Sequence, residues 1–175
     1  MFQLLAVGKQ NKNPRVSNMA TNRYAFIKSN WHNEIVDRAL AGFCEIIPAD
    51  QIDVFDVPGA FEMPLMALEL AFTGRYAAVA AAALVVDGGI YRHDFVAQTV
   101  VDGLMRAGLE TRVPVISLSL TPHHFQETDH HCAIFAEHFV CKGREAANAV
   151  LNILAIRKKA LSALNGTCIQ RFNMG

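Results

Sequence analysis

Four short stretches of the chain carry most of its chemically capable residues. Asp87-Gly88-Gly89-Ile90-Tyr91-Arg92-His93-Asp94 places two glycines, whose backbone N–H groups can approach an anion closely, directly ahead of a helical pattern. Arg92, His93 and Asp94 add a fixed cation, a group that titrates near neutrality and an acceptor, a set suited to proton transfer beside an anionic intermediate. The plainer reading is that Asp94 caps the helix while Arg92 and His93 are solvated. The stretch lacks the Gly-Lys-Ser/Thr ending of a nucleotide P-loop and is not Gly-x-Gly-x-x-Gly, so no nucleotide cofactor is expected. Trp31, the only tryptophan, can stack on a planar heterocycle or anchor a core or an interface. Glu62 follows Val57-Pro58-Gly59-Ala60-Phe61; it can accept hydrogen bonds from a ligand's N–H groups, and it also suits the positive end of the helix it opens. His123, His124, His130, His131 and His138 are five of the 7 histidines, yet they form no His-Glu-x-x-His or comparable ligand spacing. Phosphate contact or interface hydrogen bonding is expected of them, and no metal. Lys142 is either a further phosphate partner or a surface lysine.

The elements that must position these residues alternate. Tyr24 to Lys28 reads as a strand, Ser29 or Asn30 as the cap of a helix carrying Val36, Leu40, Phe43 and Ile47, and Gln51 to Val57 as a second strand. A helix ending at Thr73-Gly74 follows, then a continuous apolar strand over Tyr76 to Val86 of the kind covered on both faces. The next helix is expected to bury Phe95, Val96, Thr99, Val100, Gly103, Leu104 and Ala107, and Pro114 to Leu120 is a fourth strand. From Asp129 to Leu164 the pattern is helical, with a break expected at Lys142-Gly143 and fraying after Asn165-Gly166. Four strand–helix alternations predict an α/β domain with a parallel sheet and helices on both faces. Ligands of such sheets bind beyond the carboxyl ends of the strands, where all four stretches fall. Residues 1–22 read as a mobile arm that a partner can order, 23–164 as the single domain and 165–175 as a tail.

Composition narrows the class. A chain of 175 residues, 52% of them hydrophobic, buries roughly 70% of its unfolded surface and needs no disulfides. Sixteen Lys and Arg cancel 16 Asp and Glu, so no general nucleic-acid or membrane-surface binder is expected. The apolar run at Tyr76 to Val86 is far short of the roughly 20 residues of a membrane span, and no export signal is seen. The 4 scattered cysteines fit reduced thiols, and a cytoplasmic location is expected. A mean hydropathy of +0.21 with no net charge predicts self-association.

Val57-Pro58-Gly59-Ala60-Phe61-Glu62-Met63-Pro64, Val86-Asp87-Gly88-Gly89 and Lys142-Gly143 together resemble lumazine synthase, a riboflavin-pathway enzyme, over about Tyr24 to Leu164. The runs Asp-Gly-Gly-Ile-Tyr-Arg-His-Asp-Phe-Val and Leu-Thr-Pro-His-His-Phe look like its second, decameric bacterial type. The resemblance implies a flavodoxin-like three-layer α/β/α sandwich with a four-stranded parallel sheet, assembled as a pentamer or a dimer of pentamers with sites between subunits. It implies condensation of 5-amino-6-(D-ribitylamino)uracil with 3,4-dihydroxy-2-butanone 4-phosphate to 6,7-dimethyl-8-ribityllumazine, without metal or organic cofactor.

By the same resemblance Trp31 stacks on the pyrimidine, Ala60, Phe61 and Glu62 line the ring and ribityl site, and backbone groups of Leu84, Val85 and Val86 bind the same substrate. Ser117 falls where an aromatic residue often neighbours the pyrimidine, and Gly89 and Ile90 match the phosphate loop. Counting back from Asp94-Phe95-Val96 puts Arg92 on the family's catalytic histidine and His93 one place later. Either His93 takes that role or Arg92 acts electrostatically, since an arginine keeps its proton. Ungapped counting from Thr121 puts His131 in place of the family's phosphate-binding arginine, His130 being the other candidate, and Lys142 completes the phosphate set. Two other readings remain: a lumazine- or flavin-binding shell of this fold with little or no catalysis, and a His-rich metal hydrolase.

Overall fold

The computed structural model describes residues 23–87 and 92–172, with side chains described as far as residue 163. The arm at 1–22 and the loop residues Gly89 and Ile90 lie outside the described residues. Strands β1 (Tyr24–Ser29), β2 (Ile52–Val57), β3 (Ala78–Leu84) and β4 (Val115–Leu120) form one all-parallel sheet in the order β2-β1-β3-β4. Helices α1 (Asn33–Cys44) and α4 (Asp129–Phe172) cover one face; α2 (Met63–Phe72) and α3 (His93–Thr111) cover the other. This is the expected flavodoxin-like α/β/α sandwich.

The central strand explains the layering. All seven residues of β3, Ala-Val-Ala-Ala-Ala-Ala-Leu, are buried, with Ala80, Ala82 and Leu84 facing α1 and α4 and Val79, Ala81 and Ala83 facing α2 and α3. Alanine is a poor strand former in isolation, but a strand covered on both faces is selected for fit, and its small side chains let two helical layers approach. Phe26 and Phe43, with ring centroids 5.1 Å apart, join β1 to α1 edge to face.

Three local expectations are corrected. Neither Ser29 nor Asn30 caps α1: Ser29 stays in the strand, buried, while the Asn30 N–H donates to the Val57 carbonyl at 2.9 Å and lengthens the β1–β2 ladder. The helix begins instead from His32, held in the left-handed region at φ 54°, with no side-chain cap. On α3 the inward face is Ala97, Val100, Leu104 and Ala107; Thr99 is exposed, and so is Phe95, 62% exposed.

The third correction concerns Lys142-Gly143, where α4 does not break. A Cβ on Gly143 would run into the Ala39 carbonyl oxygen, and one on Gly42 into that of Val140, so both glycines allow two helix backbones to touch. The same residue type that ends helices here permits contact, and α4 continues through Asn165-Gly166 to Phe172. Cys44, Cys132 and Cys141 are free thiols.

Gly143→Ala improves helix propensity by about 1 kcal/mol, yet the clash makes it destabilising by about 2–3 kcal/mol. Urea unfolding measures the sign directly, and a variant as stable as the parent would mean that α1 and α4 can separate freely.

Candidate functional site at the carboxyl edge of the sheet

The loops after β1, β2, β3 and β4 all open at one rim, on either side of the crevice where strand order reverses between β1 and β3. Asn30, bonded to Val57, ties the loop bearing Trp31 to the turn that leads to Glu62. Trp31 is 71% exposed and Phe61 58%, so Trp31 is no core anchor, and two aromatic faces stand open beside each other's loops. After Pro58-Gly59, residues Ala60–Glu62 form a single 3-10 turn into α2, and Glu62 Oε2 accepts the Gly59 N–H at 2.9 Å. That carboxylate is thus a turn brace as well as a ligand candidate.

At the base of the rim Lys28, mostly buried, is held between Asp37 of α1 at 2.7 Å and Asp56 of β2 at 2.6 Å. Burial alone would lower its pKa, but hydrogen bonds to the two carboxylates outweigh this and raise it, so the ammonium is fixed and charged. The end of β3 is buried at Leu84 and Val85. Val85 donates its N–H to the Leu120 carbonyl at 2.8 Å, which leaves only its carbonyl for a ligand.

Arg92 and His93 are separated by their partners. The Arg92 guanidinium binds Asp94 at 2.7 Å and lies 4.4 Å from the centroid of the Phe95 ring, on a side chain that is 70% exposed. The hydrogen bond from Arg92 holds the Asp94 carboxyl below its ordinary value. The His93 ring is turned inward, 17% exposed, with Nδ1 2.6 Å from Asp87 Oδ1, and the His93 backbone N–H donates to the same oxygen at 3.3 Å. Hydrogen bonding to His93, side chain first, holds the Asp87 carboxyl below its ordinary value.

The loop after β4 closes the rim through an aromatic cluster that the sequence pattern did not single out. Phe125 sits 5.5 Å from His32, 5.4 Å from Phe135 and 6.4 Å from His131, measured between ring centroids. His131 Nδ1 accepts the Gln126 N–H at 3.2 Å, and its own N–H donates to Thr128 Oγ1. An imidazole that accepts at Nδ1 carries its proton on Nε2, so His131 presents a donor, the polarity a phosphate requires. His130 is exposed on the preceding position of the helix. Phe125 follows His123-His124 in an otherwise polar loop, and that isolated aromatic was the available signal.

Two candidates stand apart from this rim. Ser117 pairs in register with Ala81 on the outer strand, roughly 10 Å short of the rim at about 3.3 Å per residue. Lys142 is ion-paired with Glu145 at 2.7 Å, and a rise of about 1.5 Å per residue carries it roughly 16 Å along α4 from His131. One copy of the chain therefore does not gather Lys142 with the rest. Among the described residues no three His, Cys, Asp or Glu side chains form a group able to hold a metal ion, and no helix is long and apolar enough to cross a membrane.

Comparison with known proteins bears on the same region. A family model described as 6,7-dimethyl-8-ribityllumazine synthase matches residues 21–158. A 6,7-dimethyl-8-ribityllumazine synthase of Rhodococcus erythropolis is 59% identical over 140 residues, covering 77% of this chain and 90% of that protein. Proteins named 6,7-dimethyl-8-ribityllumazine synthase 2 from Pseudomonas syringae pv. tomato and Bradyrhizobium diazoefficiens are 53% identical over 137 residues and 50% over 135. Each alignment spans 75% of this chain, and 81% and 82% of the respective relative.

Packing distinguishes the two aromatics at the rim. Trp31→Ala, at an open position, is expected to change folding stability by less than about 0.5 kcal/mol, whereas Phe125→Ala removes three ring contacts and costs about 1–2 kcal/mol. Thermal or urea unfolding of the two variants checks the contrast; equal losses would return Trp31 to a packing role.

Proposed function

The chain belongs to the 6,7-dimethyl-8-ribityllumazine synthase family, and on that premise we propose that it condenses 5-amino-6-(D-ribitylamino)uracil with 3,4-dihydroxy-2-butanone 4-phosphate in riboflavin biosynthesis. It is a transferase of that pathway. The observation that carries the reading is that the matched residues 21–158 include every loop of the carboxyl rim, with the exposed Trp31 beside the Gly59–Glu62 turn and an inward His93 across the crevice.

The amine of the pyrimidine adds to the ketone, water leaves to give the imine, phosphate is eliminated to give an enol that becomes a ketone, and the ribitylamino nitrogen adds to that ketone and closes the ring as a second water leaves. Each step is an addition, an elimination or a proton transfer, so alignment and general acid–base help can supply the rate without an external redox partner. Trp31 stacks on the pyrimidine, Ala60, Phe61 and Glu62 border the ring and ribityl chain, and the backbone at Leu84, Val85 and Val86 meets the ring edge. His93 is the proton carrier and Arg92 the electrostatic neighbour. Gly89, Ile90 and the Nε2–H of His131 take the phosphate.

Lys142 and Ser117 fit this scheme through a second copy of the chain. Exposed apolar side chains on α2 (Leu65, Phe72) and on α3 (Phe95, Val101, Met105, Leu109) support self-association; by likeness to the family the assembly is proposed as a pentamer or a dimer of pentamers with sites shared between neighbours, acting in the cytoplasm.

Formation of the lumazine chromophore by purified protein, against a control without protein, tests the proposal. A saturable excess rate is expected; tight flavin binding with no excess rate would make the chain a binding shell instead. His93→Ala should lower kcat by about 10²-fold or more, and Arg92→Ala less; the reverse order would give Arg92 the central role. Trp31→Ala should weaken the pyrimidine substrate by roughly 10-fold, a typical stacking contribution, and leave the butanone phosphate nearly unchanged. Light scattering should show a multiple of five chains, and a monomer under native conditions would end the shared-site scheme.

A further inference from the structure

Resting on the reading of this rim as the synthase centre, we infer that Asp87 is a positioning residue that fixes the tautomer and orientation of His93, so that Nε2 is the atom that takes and returns protons. The geometry carries this. Asp87 Oδ1 meets both His93 Nδ1, at 2.6 Å, and the His93 backbone N–H, at 3.3 Å, so one oxygen holds the side chain and the first turn of α3 together. An ionised carboxylate can only accept, which places the Nδ1 proton on the imidazole and leaves the Nε2 lone pair free. The Asp87 carboxyl is held below its ordinary value, chiefly by that hydrogen bond, so it stays ionised wherever the protein is folded near neutrality.

Arg92, the nearest cation, is drawn away by Asp94 and by the Phe95 ring and does not compete for Asp87 at bonding distance. The logic is that of a base oriented by a third group: the carboxylate does not exchange protons with substrate but selects the nitrogen that does. His131 has the opposite setting, with Nδ1 accepting and Nε2 donating. Two imidazoles on one rim are thus preset, one as a proton acceptor and the other as a hydrogen-bond donor to an anion.

The Asp87→Asn variant tests the assignment in the full-length protein. Asp87 is 68% exposed, so the fold should survive, and an unchanged unfolding temperature will confirm that it has. In 15N spectra of the neutral imidazole, His93 of the parent should show a protonated Nδ1 and an unprotonated Nε2, and Asp87→Asn should lose that preference. The same variant should lower kcat about 10- to 100-fold, within the span of general acid–base catalysis, with KM for both substrates nearly unchanged. Asp87→Glu should recover part of the rate and the Nδ1–H signal.

A parent protein with His93 protonated on Nε2, or a variant with unchanged tautomer and kcat, would overturn the assignment. The spectrum reads the pairing whether or not the protein makes lumazine. An Nδ1–H histidine in a protein without synthase activity would uphold the pairing while removing the reaction it was assigned to serve.

Discussion

Burial of β3 on both faces is the constraint from which the remaining architecture follows. A parallel strand has no hairpin partner to complete it, and its neighbours β1 and β4 must be brought alongside through crossovers that lay helices on the sheet. Five alanines in seven residues leave little apolar area on the strand itself. The stabilisation comes from what the small side chains admit: Phe26, Phe43 and Phe139 on one face, Met63 and Leu104 on the other, all buried. With both layers set at this spacing, the four strand ends reach a common rim, and the loops there are free to carry polar chemistry.

That division of labour shows in the site. The scaffold beneath the rim is tied by local bonds: Lys28 between two carboxylates, Asn30 on the ladder of β2, Val85 on that of β4. The groups above it are exposed aromatics and paired ionisable side chains whose partners come from the same or the next loop. Asp94 with Arg92, and Asp87 with His93, show how a run of adjacent charged residues is sorted by the first turn of a helix into an outward and an inward pair. A membrane or nucleic-acid surface would not require such sorting; orienting a proton at one atom does.

The strands and the rim loops were legible in the sequence because their signals are local: period, β-branching, Pro-Gly and Gly-Gly breaks. The family was legible too, from Val57-Pro58-Gly59-Ala60-Phe61-Glu62 and the Asp87 to Val96 run. What stayed hidden depends on tertiary geometry. Spacing cannot say which of two consecutive residues faces inward, so Arg92 and His93 were interchangeable until Asp87 and Phe95 appeared as their partners. Gly143 reads as a helix stop because propensity ignores a neighbouring helix, and only the Ala39 carbonyl explains it. His32 takes a left-handed start to α1 against the usual cap preference because Ser29 and Asn30 are already committed to the sheet. Ser117 and Lys142 matched a pattern laid out along one chain, while one chain leaves both away from the rim.

The close approach of α1 and α4 has a further consequence, in the order of synthesis. The inner face of α1, including Ala39, Gly42 and Phe43, emerges from the ribosome roughly 100 residues before the stretch of α4 that covers it, an interval of about 5–20 s at typical elongation rates. During that interval the nascent chain holds an amphipathic helix that can reach β1 and β3 but not the helix that completes its cover, because that part of the fit requires the backbone of α4 itself. The contact between α1 and α4 can form only once that stretch of α4 has been made, so the inner face of α1 waits on a segment far along the chain.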